Sequence, residues 1–525
     1  MPEPQNPGPA NELVRANDAE VGVARRYTSY DAPEDAALRA WAEHRTASPG
    51  PYRPRFMVYS GLGSPEMTAE RLALLQTLGA ESFLLAADLP SQLGYDPDHE
   101  LSFAQVGRAG VSCATLEDFA TICSGLDLQA TDSVGMLANS VGHIGMAMVV
   151  SVLRDRDATG VRLVMQNDPL KEFTARGTEV HEPEEAVRIA CDCVAYAIDE
   201  DLPGAAITVC SNHYDVAGAG PVLAVALAFA NATVYVDELV ARGYAPADVL
   251  RKMMFFLNER SDLYIGASLF RTARGIWASL VAERYGLPVG DQPVMTLMGY
   301  AHGLESADEP LVNIPRVTLS VLASMAGGVD YLCATGYDEA LRIPSADAAA
   351  LALRTMQVVG YEHGAMASLD PFAGSAKLDR LDAELTARVT AELQRIEDNG
   401  GALQALRNGY ITRRIDEGRG TRQRQLEEGE RAMVGANVLA SPEHRHLFAG
   451  RSAGEMDFAA VERDARERLR THKEKRAESA VQEALRQVEE AAAGTANLLP
   501  PTIAALRCGA TAQEIVGATR TGFAR

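Results

Sequence analysis

Short apolar runs recur through the middle of this chain, each ending in a polar cluster and most followed by a helical pattern. The runs are SFLLAAD (82–88), SVGMLAN (133–139), VRLVMQND (161–168), AAITVCSNH (205–213), KMMFFLNER (252–260), PVMTLMGYAHG (293–303), VDYLCATG (329–336) and MASLDPF (366–372). Between them lie segments with helical periodicity, such as PEEAVRIACDCVAYAI and GPVLAVALAFANATVYVDELVARG. Continuous apolar runs suit strands buried on both faces, and strand–helix alternation implies a parallel sheet. Eight such units predict an α/β fold of the (β/α)8 barrel type; an open sheet is the alternative.

The pattern changes at both ends. Residues 1–50 are rich in Pro and Ala and read as an extended arm. The barrel is assigned to 51–390. From 391 to 525 the chain reads as a helical and linker region, in which VERDARERLRTHKEKRAESAVQEALRQVEEA carries alternating charge around a narrow apolar seam. With 525 residues, one large domain plus an accessory region is expected.

Composition narrows the function. Apolar residues make up 47% and charged residues 23%, and the net charge is −22. Such a charge argues against nucleic acid and anionic membrane as partners. The N-terminus lacks the basic and apolar regions of a signal peptide, and no membrane span is expected. The 7 cysteines are scattered, and Cys191 and Cys193 have no second pair with which to complete a zinc site. Reduced thiols in a cytoplasm fit that usage.

The chemistry concentrates in QNDPLKEFTAR (166–176), which follows the apolar run VRLVM. A strand end carrying Gln, Asn and Asp, with Lys, Glu and Arg one turn later, builds a polar site at a barrel mouth. This stretch resembles the adenosylcobalamin-dependent acyl-CoA mutases, the methylmalonyl-CoA mutase family. Further segments match that family in order: DLPSQLGYDPDH (88–99), SNHYDVAGAG (211–220), FRTARGIWASLV (270–281), YDEAL (337–341), LDPFAGS (369–375), MVGAN (433–437) and NLLPPTIAALRCGATAQEIVGA (497–518).

The resemblance implies a barrel that holds an acyl substrate along its axis, capped at its C-terminal mouth by adenosylcobalamin. A radical 1,2-rearrangement of a short branched acyl thioester follows. By resemblance, His213 hydrogen-bonds the thioester carbonyl, and Gln166 and Ser91 face the substrate. Asn212 stands where the family usually has a tyrosine and re-shapes the pocket. Tyr95 and Arg176 match a pair that contacts a substrate carboxylate, which favours a methylmalonyl- or ethylmalonyl-like group. An ion pair with Glu172, one turn back, is the other role open to Arg176. Tyr95, Asn139 and Glu362 are implied as cofactor contacts.

The chain also departs from the family. Met57, Leu93 and Met295 occupy positions that usually carry arginines for the CoA phosphates; each lost charge-assisted bond is worth about 1.5–3 kcal/mol. Arg53 and Arg55 lie nearby and can compensate. Otherwise a carrier-protein pantetheine or a free acid replaces CoA. Cys333 stands where a histidine is usual. Asp-x-His-x-x-Gly, the cobalt-ligating motif of the family's cobalamin domain, does not occur. The expectation is therefore a large subunit without its own cobalamin-binding Rossmann-like domain or metal ligand. Its cobalt ligand would come from a small cobalamin-binding partner in a hetero-oligomer. The alternatives are a catalytically silent, mutase-like binding subunit and an unrelated barrel lyase with acid–base chemistry from His213, Glu259 and Asp262.

Overall fold

A computed structural model describes residues 53–259, 262–302, 306–366, 370–372, 374–450 and 456–525; the expected arm over 1–50 lies outside them. Its centre is a parallel sheet of nine short strands: β1 (Arg55–Ser60), β2 (Ser82–Leu85), β3 (Ser133–Met136), β4 (Arg162–Val164), β5 (Gly204–Ala205), β6 (Ile207–Cys210), β7 (Met253–Glu259), β8 (Thr296–Ala301) and β9 (Tyr331–Ala334). The hydrogen-bonded order is β5-β4-β3-β2-β1-β9-β8-β7-β6. Only Ala206 separates β5 from β6, so these two pieces act as one interrupted strand. One piece pairs with β4 and the other with β7, which joins the two edges of the sheet. The result is the eight-fold parallel barrel that the strand–helix rhythm predicts. Gly135 shows how closely the strands approach: a Cβ there would meet the Val164 carbonyl oxygen at 1.6 Å.

One strand assignment is corrected. The first strand is RFMVYS, and the run MASLDPF supplies none: its described residues lie in turns, and Ala367–Leu369 fall outside the described residues. FMVY (56–59) is a continuous apolar run like the others, with Phe56 and Val58 turned to the surrounding helices and Met57 inward, so the first strand carries the signal that MASLDPF only imitates.

The described residues form two main apolar cores and a small third cluster of Ile265, Leu381 and Leu385. The outer one lies between sheet and helices. The inner one fills the barrel with Met57, Leu84, Val164, Ala205, Cys210, Met254, Phe256, Met298, Tyr331 and Cys333. Inward side chains stacked in layers are how a barrel of this size closes its interior. Below them, at the N-terminal end, Arg55 Nε contacts Asp132 at 2.6 Å, Arg162 stands 3.6 Å from the same carboxylate, and Tyr331 donates to it at 3.2 Å.

The helix Gly220–Ala241 is, with the turn before it, long and apolar enough to cross a membrane, but most of it is buried against the barrel. Beyond the barrel, helix Ala376–Asp398 is tied down by Arg271, which is buried and reaches Asp370 (2.8 Å) and Asp382 (2.9 Å). The last four helices, Phe458–Lys475, Glu478–Ala493, Leu499–Arg507 and Ala512–Phe523, return to the barrel. Lys473 Nζ and the Thr511 hydroxyl both bind the Asp96 carboxylate at 2.9 Å, and Gln513 accepts from the Asp96 amide. These bonds fix the loop after β2, which carries Tyr95.

Candidate active site

The C-terminal ends of β3, β4 and β6 gather the polar residues singled out above. Asn139, Gln166 and Asn212 are all buried. Neither amide atom of Asn139 has a hydrogen-bond partner, nor has Gln166 Oε1 or Asn212 Oδ1. His213 follows Asn212 in the short helix Asn212–Tyr214, and its Nδ1 also lacks one. The strands bring these groups together because Leu137 bridges to Gln166 and the Gln166 carbonyl accepts from the Ala138 amide at 2.9 Å.

Electrostatics define the state of this cluster. Burial drives the His213 imidazole well below its ordinary range, helped by the charges of Lys171 and Arg176 and by His302. His213 is therefore neutral at pH 7, with one donor and one acceptor nitrogen. Lys171 is fully buried and pairs with the buried carboxylate of Glu172, which Thr178 also hydrogen-bonds. Behind them Asp168 accepts from Tyr235 at 2.6 Å and from the Cys210 amide at 3.1 Å. Burial raises the Asp168 carboxyl while Lys171 pulls it back down.

Arg176 ends the one-turn π-helix Glu172–Arg176. Its Nη1 donates to Gln92 Oε1 at 2.9 Å and lies 3.6 Å from Glu172. The ion pair one turn back is thus formed. A quarter of the side chain remains exposed, which leaves a face for a ligand. Arg176 is also close enough to Tyr59 to oppose the rise that burial causes in that phenol.

The remaining candidates fall into two groups. Ser91 is buried, and its hydroxyl accepts from the Cys113 amide at 3.0 Å, so it braces the loop. Tyr95 is half-buried, with its ring stacked on His99 at 4.3 Å. Glu362 is exposed on the turn Val358–Glu362. Met57 and Met295 are buried in apolar packing. Of the two arginines offered in compensation, Arg53 pairs with Glu81 and Arg55 with Asp132.

A cavity of about 230 Å³ opens among the ends of β1, β8 and β9, with Tyr59, Tyr300, Thr335 and Glu339 in its lining; Asn139, Gln166, Asn212 and His213 do not line it. None of the four lining residues named figures among the sequence candidates. Glu339 lies in the matched segment YDEAL, and Tyr59 sits on the strand that patterning passed over, so each had a signal.

This geometry agrees with the comparisons to known proteins. The family model for methylmalonyl-CoA mutase matches residues 44–525. The chain is 28% identical over 508 residues to the 2-hydroxyisobutanoyl-CoA mutase large subunit of Aquincola tertiaricarbonis, covering 94% of this chain and 89% of that one. It is 30% identical over 446 residues to ethylmalonyl-CoA mutase of Methylorubrum extorquens and 28% over 454 residues to methylmalonyl-CoA mutase of Escherichia coli. Those alignments span only 65% and 62% of the relatives' lengths, against 83% and 85% of this chain. With a matching model over nearly all of its described length and a closed parallel barrel, this chain belongs to the methylmalonyl-CoA mutase family of isomerases.

Proposed function

We propose that this chain is the large subunit of an adenosylcobalamin-dependent carbon-skeleton mutase that rearranges a short branched acyl group, working in the cytoplasm with a small cobalamin-binding partner. The observation that carries the reading is the set of buried, unpartnered polar atoms on Asn139, Gln166, Asn212 and His213 at the barrel mouth. Buried polar groups are normally satisfied within the protein, and amides and imidazoles left open together at strand ends await a ligand. The partner is supported by the 89% coverage of a relative named as a large subunit.

Each side chain then has a role. Neutral His213 donates a hydrogen bond to the acyl oxygen, so charge that develops there during migration is met by a preset donor. Gln166 and Asn212 orient the acyl group without adding charge. Arg176, anchored by Gln92 and Glu172, presents its open face to a substrate carboxylate. Tyr95 and Asn139 fit a large polar cofactor above the mouth: the first is half-buried on a loop braced by the C-terminal helices, the second has an open amide. Adenosylcobalamin, when bound, supplies hydrogen-atom transfer, which none of these side chains performs. The apolar barrel interior beneath keeps water from the reacting centre.

The test combines the chain with a small cobalamin-binding subunit and adenosylcobalamin, and follows isomerisation of branched acyl compounds by NMR. Cofactor-dependent rearrangement is expected, with His213→Ala lowering kcat about 10²–10³-fold. Full activity in His213→Ala, or tight stoichiometric corrinoid binding by the chain alone, overturns the assignment.

A further inference from the structure

Helices Ala376–Asp398 and Tyr410–Glu427 and the turn that opens helix Gly220–Ala241 enclose a cavity of about 460 Å³. None of Asn139, Gln166, Asn212 and His213 lines it. Two glycines set its floor. A Cβ on Gly418 would meet the Gly218 carbonyl oxygen at 2.2 Å, and Gly218 has a φ of +128°. Helix Tyr410–Glu427 therefore crosses that turn backbone against backbone.

Five arginines line the cavity, Arg388, Arg395, Arg414, Arg422 and Arg431, against two carboxylates, Glu392 and Glu417. The whole chain carries 71 acidic residues to 49 basic ones, so this concentration runs against its overall charge. Arg388 and Arg395 stand about two turns apart on one helix, as do Arg414 and Arg422 on the other. Glu392 is shared between them. Arg414 reaches both of its oxygens, at 2.9 and 3.0 Å, and Arg395 Nη1 contacts it at 2.5 Å. Glu417, two-thirds exposed, adds a 3.3 Å contact to Arg414. One carboxylate held by two guanidiniums leaves the middle of the cavity cationic. Arg395 commits one N–H of its fork to Glu392 and is half exposed.

Guanidinium forks recognise phosphate and carboxylate oxygens in pairs. Val222, Leu223 and Ala391 give the lining an apolar side, which an inorganic ion leaves unused and an organic phosphate ester covers. The volume is that of a small-molecule site. Arg422 also ties the cavity to the candidate active site. It donates to Asp215 Oδ1 at 3.0 Å, while Asn258, near the end of β7, donates to Asp215 Oδ2 at 2.9 Å. Asp215 is buried two residues after His213. We propose that this cavity is an effector site for a phosphorylated organic anion of nucleotide size, separate from the acyl site, and that Arg422 and Asp215 transmit its occupancy to the segment carrying His213. The binding site stands without the mutase reading; only the catalytic meaning of the link rests on it.

The test uses the full chain, with ADP as the probe in isothermal titration. The acidic protein as a whole repels ADP, so uptake reports a local site. Saturable binding of one ADP per chain is expected, weakened about tenfold or more by R395Q and by R414Q, and left unchanged by Gln166→Ala at the mouth. R395Q alters a half-exposed side chain and keeps the fold, so it decides the matter if R414Q does not fold. No saturable binding, binding that R395Q leaves intact, or binding that Gln166→Ala abolishes overturns the site. Hydrogen exchange over residues 211–219 reads the link: ADP should change it in the parent and not in Arg422→Gln. Exchange that bound ADP leaves unaltered overturns the link. Neither readout needs turnover, so an ADP response in a chain without mutase activity removes the mutase reading and leaves the site standing.

Discussion

Glu172→Gln is the most informative single change to the framework behind the mouth. The carboxylate it removes is buried and holds three partners: Lys171, Thr178 and, at 3.6 Å, Arg176. Lys171 is the critical one, because its side chain has no exposure at all. Removing one member of a buried pair strands the other charge and costs about 3–5 kcal/mol. Here the lower end applies. Asp168 also interacts with Lys171 and remains as a second anion, although burial has raised its carboxyl. We therefore expect a loss of about 3 kcal/mol, read as a lower midpoint in urea unfolding with an unchanged slope. Lys171→Met should cost less, since Glu172 keeps Thr178 and Arg176. The double variant should be more stable than Glu172→Gln alone, because it no longer buries an unmatched ammonium. A Glu172→Gln protein within about 1 kcal/mol of the parent, or a double variant less stable than both singles, would refute this account of the network.

Three further outcomes follow from other parts of the structure. Tyr235→Phe deletes the 2.6 Å bond to the buried Asp168 carboxyl and should cost about 1.5–3 kcal/mol in the same unfolding assay. Met298→Ala removes a wholly buried side chain from the barrel plug and should destabilise by about 2–5 kcal/mol, a loss that a better-filling Leu at 298 recovers in large part. The buried His143 and His181, depressed to about 3 and about 4 chiefly by burial, stay neutral in the folded state, whereas an unfolded chain protonates them near 6.5. Their contribution is therefore complete above pH 6.5 and is lost as pH falls toward 4, at up to about 1.4 kcal/mol per pH unit for each. Both pack on the final helix, His143 at 3.4 Å from the Thr519 hydroxyl and His181 against the Phe523 ring, with Glu185 and Arg520 as the charged neighbours of His181. Hydrogen exchange of Ala512–Phe523 should accelerate on acidification, and His143→Gln should flatten that dependence; an unchanged slope would place the loss elsewhere.

What the sequence disclosed, and what it withheld, follows from how each feature is encoded. Strands buried on both faces leave continuous runs, so seven strands were legible, as was the parallel arrangement. β1 carries the same signal in FMVY (56–59), but it follows directly on the Pro-rich stretch that ends at Pro54 and merges with it in the pattern. The site was legible where it is local: Gln166 through Arg176 occupy one turn region, and Asn212 and His213 are adjacent. Features that depend on register were hidden. Met254, Phe256 and Met298 look in sequence like any strand core, and only the pairing of β7 with β8 shows that they share the barrel interior. The closure of the lower end was equally invisible, since Arg55, Asp132 and Arg162 meet only once three strands are in place.

The arrangement also explains why the mouth can remain unsatisfied. Each unpartnered buried amide or imidazole costs about 1–3 kcal/mol. Such groups would ordinarily turn toward one another or draw the backbone in. Here they are held apart by what lies on either side. The plug below offers little to collapse onto beyond the Cys210 thiol, which Gln166 reaches. The Lys171–Glu172–Thr178 and Asp168–Tyr235 bonds behind use up the polar groups that could have reached forward. The dry interior and the paired charges thus do the same work from two directions: they leave Gln166 Oε1, Asn212 Oδ1 and His213 Nδ1 without a partner at the mouth. A ligand entering there meets acceptors and donors whose cost of desolvation was met when the chain folded, which is the physical basis of preorganised recognition.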